Sequence, residues 1–143
     1  MDFLVRRRGT GEVLFAIENK TGRSSIREMS QFQLDVSDCE CMLNEMRSHG
    51  RPVYVIHAQV LELWHPPTMG FQTVGMWWSD VYRMTEHFKQ VRMRRMEMRG
   101  AAYFSKKAFL PIEEFPEALM GQTDFALIER FQREGIPQLY RVE

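Results

Sequence analysis

The run Val53-Tyr54-Val55-Ile56-His57-Ala58-Gln59-Val60-Leu61 constrains this chain more than any other stretch. It does not alternate apolar with polar residues, so a strand made from it is covered on both faces. Just upstream, Gly50 and Pro52 end a segment in which Met29, Phe32, Val36, Cys39, Leu43 and Met46 recur every three or four positions. That is the spacing of one helix face. The helix is expected to open at Ser25-Ile26-Arg27-Glu28, where Ser and Glu fit a capping box. A helix leading straight into a buried strand is the crossover of an α/β sheet. The expected class is α/β, or α+β, with a mixed central sheet flanked by helices. At 143 residues the chain makes a single domain, residues 1–143.

The front of the chain carries the chemistry. Residues 3–8 and 12–18 are rich in Val, Leu, Phe and Ile, and Gly9-Thr10-Gly11 between them predicts a hairpin. With a three-residue loop, Arg8 pairs with Glu12 and Asp2 lies opposite Glu18, about 5 Å away between Cβ atoms. A two-residue loop sets Asp2 against Ile17 instead. Glu18 and Lys20 share a face and Asn19 takes the other, because side chains alternate along a strand. Two carboxylates this close repel unless a positive charge lies between them. Mg²⁺ suits that place, since it takes oxygen ligands and only one or two carboxylates. Lys20 beside it can orient or deprotonate a water and offset charge on a phosphate, which are parts for metal-assisted phosphodiester hydrolysis. A solvated strand end with a surface ion pair accounts for the same residues without chemistry.

Asp2 on one strand, then Glu18-Asn19-Lys20 on its hairpin partner, then a helix and a strand, resembles the core of the PD-(D/E)XK nuclease superfamily over residues 1–61. The resemblance implies a restriction-endonuclease-like fold and a metal-dependent nuclease, a hydrolase of the kind found among restriction endonucleases and Holliday-junction resolvases. It implies Mg²⁺ or Mn²⁺ held by Asp2 and Glu18, with the Asn19 backbone carbonyl as a further ligand. Asp2, Glu18 and Lys20 would be catalytic, Lys20 serving the attacking water. Some branches of the family place a Gln on the first core helix near the metal, and Gln33, on the border of the expected helix face, fits that role; a polar boundary residue without a role fits it equally. The family core opens with a helix and a strand ahead of the Asp. No such N-terminal core helix stands ahead of Asp2 in this sequence, so either the natural N-terminal segment is missing from it or later segments or a partner chain take its place, and a homodimer or larger complex is one expectation.

Charge points to the partner. The formal net charge is zero, so the chain as a whole does not advertise nucleic acid. From Arg83 to Lys107, however, eight basic residues stand against Glu86 and Glu97. Residues 80–99 are expected to form a second helix with Val81, Met84, Phe88 and Val91 inward. On it Lys89, Arg92, Arg95 and Arg99 recur at helical spacing and would form a basic stripe for phosphates; a solvated helix face is the plainer reading. Arg6 and Arg8 could likewise contact the backbone, or simply flank a turn. DNA is expected ahead of RNA as substrate. Trp77-Trp78 and Tyr103-Phe104 suit core packing, with base stacking the other reading.

Two other functions stay open: a nuclease-shaped module that binds nucleic acid or protein without chemistry, and an unrelated α+β interaction domain whose acidic C-terminal third docks on a partner. Cys39 and Cys41 lie too divergently on a helix to pair and have no second ligand pair for zinc, so both are expected reduced, with Cys39 toward the core. His57 reads as a hydrogen-bonded core histidine. No run approaches the ~20 apolar residues of a membrane span, and residues 1–6 lack the layout of a signal peptide. A cytoplasmic location is the expectation. A further helix is expected near residues 124–133.

Overall fold

A computed structural model describes residues 1–65, 68–94, 99–115, 125–135 and 139. It is a mixed α+β fold with two sheets. The larger sheet has the order β1 (Phe3–Arg6), β2 (Val13–Gly22), β4 (Val53–His65), β5 (Thr68–Asp80), β8 (Leu110–Pro111). The smaller has the order β3 (Phe32–Asp35), β7 (Arg99–Phe104), β6 (Phe88–Arg94). Among the described residues α1 (Val36–His49), α2 (Val81–Glu86) and α3 (Phe125–Glu134) accompany them. α3 falls where the sequence places a late helix.

β1 and β2 are antiparallel, β2 and β4 parallel, and β4 and β5 antiparallel. α1 therefore sits in a crossover between parallel neighbours, as the uninterrupted run at Val53 predicts. Its buried residues Cys39, Met42, Leu43 and Met46 belong to the core, and the helix lies against β7 and β3 as well as β2 and β4. The opposite face of the large sheet carries an aromatic cluster. Phe15 meets Tyr54 edge-on with centroids 5.2 Å apart, and Phe115 lies 5.3 Å from Tyr54 and 5.1 Å from Trp78. Offset and edge-on ring pairs of this kind add to what burial alone contributes.

The hairpin turn departs from expectation twice, and the departures cancel. Arg7, not Arg8, closes on Glu12, its N–H donating to the Glu12 carbonyl at 2.7 Å. The loop is thus one residue longer than predicted, with Gly9 and Gly11 at positive φ turning the chain. A bulge then follows, because Val5 pairs with Phe15 but Arg6 with Val13. The extra residue, Leu14, restores the register, and Phe3 stands opposite Ile17.

Two helix expectations are corrected. Residues 25–35 are not helical: Glu28 N–H does bond Ser25, to the hydroxyl at 3.3 Å and the carbonyl at 3.2 Å, but as an isolated turn. Phe32-Gln33-Leu34-Asp35 then alternates buried and half-buried residues as β3, and the helix starts only at Val36. Residues 80–99 form not one helix but the short α2 and the hairpin strand β6. Phe88 and Val91, three apart, imitate a helix face because a bulge at Lys89 puts them on one side of a strand: Phe88 pairs with Phe104, Gln90 with Tyr103 and Val91 with Ala102. α2 is capped by Asp80, whose carboxylate accepts from the N–H groups of Tyr82 and Arg83 at 2.9 Å each.

The core face of the small sheet, Phe32, Leu34, Ala102 and Phe104, is almost wholly buried. It meets the large sheet through Phe32, whose ring lies 5.9 Å from His57 and 4.4 Å from Phe109. His57 is buried, with Nε2 3.0 Å from the Ser24 carbonyl oxygen, the core histidine the sequence suggests. Cys39 is buried and Cys41 exposed, both free. Burial, then the charges of Asp38 and Glu40, push the Cys39 thiol up to about 12, so it stays protonated at neutral pH. Among the described residues no helix is long and apolar enough to cross a membrane.

Candidate functional site

The two ends of the β1–β2 hairpin differ in kind, and the open end gathers four charged side chains. The register that puts Phe3 opposite Ile17 brings Asp2 up to Glu18 and Asn19. The Asn19 N–H donates to Asp2 Oδ2 at 2.8 Å. In a strand, the N–H and carbonyl of one residue point to the same edge, and successive residues alternate edges. Ala16 N–H bonds Pro52, toward β4. Asn19, three residues on, therefore turns both its N–H and its carbonyl toward β1 and Asp2.

Glu18 and Lys20 lie on the other alternation, their side chains on the face covered by α1. Glu18 is buried, 5% exposed. Lys20 Nζ is 3.3 Å from Glu18 Oε1 and 2.7 Å from Asp38 Oδ2. Asp38 stands in the first turn of α1, where a carboxylate also complements the helix dipole. The sequence reading missed Asp38, because a helix opened at Ser25 puts it mid-helix; the alternation in residues 32–35 moves the start and reveals an acid in the first turn.

The electrostatics follow from this packing. Desolvation raises the Glu18 pKa, the Asp2 charge raises it further, and the Lys20 ammonium only partly offsets them. For Lys20, desolvation pulls down, but the hydrogen bond and charge of Asp38, then those of Glu18, outweigh it and leave the pKa raised. Lys20 is an ammonium throughout the neutral range. It can donate a hydrogen bond and neutralise charge; it does not take up a proton.

A pH prediction follows from Glu18. Its folded pKa lies above its unfolded one, so the folded state binds this proton more tightly. Its favourable contribution is complete below the ordinary carboxylate range and is lost as pH rises through the raised folded value. Gln mimics the protonated form. The melting temperature of Glu18→Gln should match wild type near pH 4 and exceed it at neutral pH, measured without divalent metal. A flat or negative difference across that range contradicts the assignment.

The other expected site residues are scattered. Gln33 lies on β3, not on a helix, because the chain extends there; it pairs with Tyr103, and its Nε2 is buried without a hydrogen-bond partner. Arg6 donates to the Gly11 carbonyl at 3.0 Å, and Arg8 is exposed in the turn. Both sit at the closed end of the hairpin, roughly 13 Å or more along the strand from Asp2. The helical basic stripe is replaced by a strand pattern. Lys89 occupies the bulge, exposed, and Arg92 is exposed with its guanidinium 5.6 Å from the Tyr103 ring centre. Arg99 opens β7 opposite Arg94, and Arg95 lies outside the described residues. Strand alternation and the bulge, rather than a helical repeat, set the faces that Lys89 and Arg92 take on β6.

Among the described residues no three His, Cys, Asp or Glu side chains gather closely enough to hold a metal ion by themselves. The oxygen donors at the open end are the carboxylates of Asp2, Glu18 and Asp38 and the Asn19 carbonyl, with Asp38 Oδ2 engaged by Lys20 at 2.7 Å. Set against family models, curated proteins and solved structures, the chain has no match.

Proposed function

We propose that this chain is a metal-dependent nuclease with a restriction-endonuclease-like core, hydrolysing phosphodiester bonds in DNA ahead of RNA. The observation that carries the reading is the convergence of Asp2, Glu18 and Lys20 at the open end of one hairpin, on a strand joined by α1 to a parallel neighbour. The donor set fits a hard divalent cation such as Mg²⁺ or Mn²⁺, being all oxygen. The desolvated Glu18 carboxylate beside Asp2 is a place where added positive charge is favourable. Bound there, the ion would polarise a phosphoryl oxygen and acidify a water.

The chain's own residues divide the remaining work. Asp2 and Glu18 would hold the cation, and the Asn19 N–H, donating at 2.8 Å, fixes the Asp2 carboxylate in place. Lys20, held protonated between Glu18 and Asp38, orients the attacking water by hydrogen bonding and balances charge on the phosphate. It is not the general base. Asp38 positions Lys20 from the helix.

Mn²⁺ should raise the melting temperature of the wild-type chain. At a concentration ten times Kd the gain is about 1.4 kcal/mol, or roughly 3–6 °C. Asp2→Asn and Glu18→Gln should each lose most of that gain. Equal stabilisation of all three proteins would place the ion elsewhere. The second reading, a nuclease-shaped binding module without chemistry, is favoured by one observation: two carboxylates already engage Lys20. It predicts nucleic-acid binding with no cutting under any metal.

A further inference from the structure

We infer that the hollow around Trp77 is a binding groove for single-stranded nucleic acid, with the Trp77 indole as a stacking surface and Arg27, Lys106 and Lys107 as phosphate contacts. Two adjoining hollows, about 360 Å³ and about 240 Å³, share Arg27, Trp77 and Pro111 in their walls. The first also takes in Gln59 and Glu113, the second Lys106 and Lys107. Three cations thus face one acid, on a protein whose net charge is zero. Lys106 Nζ donates to the Arg27 carbonyl oxygen at 2.9 Å, which ties the two cationic segments to one rim. Arg27, Lys106 and Lys107 are exposed and Trp77 is half-buried.

The indole is held, not loose. A Cβ at position 75 would stand 2.7 Å from the Trp77 ring, so Gly75 gives the ring room to lie along its own strand. His57 supports it from the next strand, with ring centroids 6.0 Å apart. A positioned aromatic beside several cations binds unpaired bases with little regard to sequence, because every base has a π-face. A base stacked inside a duplex does not offer that face.

The groove also has a relation to the charged centre. Lys20 pairs with His57, and His57 with Trp77, in one row across the large sheet. Two strand spacings separate Lys20 from Trp77, about 10 Å. The segment at Ser24 crosses over His57 between them, so a strand seated on Trp77 passes over that segment to reach Lys20. The inference names the substrate class of the proposed nuclease and rests on that reading for its role, but the binding itself can be measured without cleavage.

The test is fluorescence anisotropy of a short labelled oligo-dT, in EDTA, over a salt series. Wild type should bind with a negative salt slope. Trp77→Ala should weaken binding about tenfold, and Trp77→Phe should restore most of it. The exposed double variant Lys106→Ala/Lys107→Ala, which does not disturb the core, should flatten the slope by about 1.4. Arg47→Ala, on the exposed side of α1, should bind like wild type. No binding by wild type, unchanged binding by both Trp77→Ala and the double variant, or equal affinity for a duplex of the same length would overturn the inference. Binding that depends on Trp77 without any cutting in Mn²⁺ would keep the groove and sink the nuclease; cutting with Trp77-independent binding would do the reverse.

Discussion

Lys20→Ala should cut Mn²⁺-dependent cleavage by at least about a hundredfold, the usual effect of removing one preorganised donor from a reacting centre. The ammonium is held by Glu18 and Asp38 at 3.3 and 2.7 Å, which fixes its place at the centre. Its raised pKa adds a second expectation: the pH–rate profile should show no limb from lysine titration in the neutral range. The same substitution leaves Glu18 beside Asp2 and Asp38 without its cation. That should cost stability, on the order of 1 kcal/mol once the partial exposure of Lys20 and Asp38 is allowed for. A thermal melt separates this small loss from the large loss of activity. Lys20→Ala with wild-type cleavage would remove Lys20 from the mechanism.

The second large effect concerns the fold. Phe104 is fully buried and sits on the central strand of the small sheet, opposite Phe32 on one side and Phe88 on the other. Its ring meets that of Phe88 at 69° with centroids 5.8 Å apart. Phe104→Ala should cost about 3–5 kcal/mol, a large part of the roughly 5–15 kcal/mol that holds a domain together. Urea denaturation followed by circular dichroism reads it directly. A loss under about 1 kcal/mol would mean that the small sheet does not pack as described.

What could be read in the sequence divides along a physical line. The strand at Val53 declares itself because burial on both faces removes every polar interruption. The Asp2–Glu18 pairing emerges because register depends on the sum of loop and bulge. A four-residue loop with a bulge at Leu14 gives the same answer as the three-residue loop expected without one. Residues 25–35 and 88–94 mislead for opposite reasons. In the first, a capping-box bond forms without a helix, and tertiary pairing with β7 overrides the local signal. In the second, one bulged residue stretches the strand's spacing of two to a spacing of three, from Phe88 to Val91, which imitates a helix face. With it goes the helical spacing of the basic stripe, Lys89 and Arg92 lying on β6 and Arg99 on β7. Asp38 stayed hidden behind the misplaced helix start, although an acid in the first turn of the correctly placed α1 was there to see. Arg27 and Trp77 are far apart in sequence, and only the folded sheet brings them to one groove.

The measurement that bears most directly on the central claim is cleavage of labelled single- and double-stranded DNA and RNA by the wild-type chain, with Mn²⁺ and with EDTA. The expected result is cutting that appears with the metal, vanishes with the chelator and is lost in Lys20→Ala, with single strands cut best. Folded protein that cuts none of the four substrates with Mn²⁺ present would contradict the account and leave the front of the chain a charged strand end without chemistry.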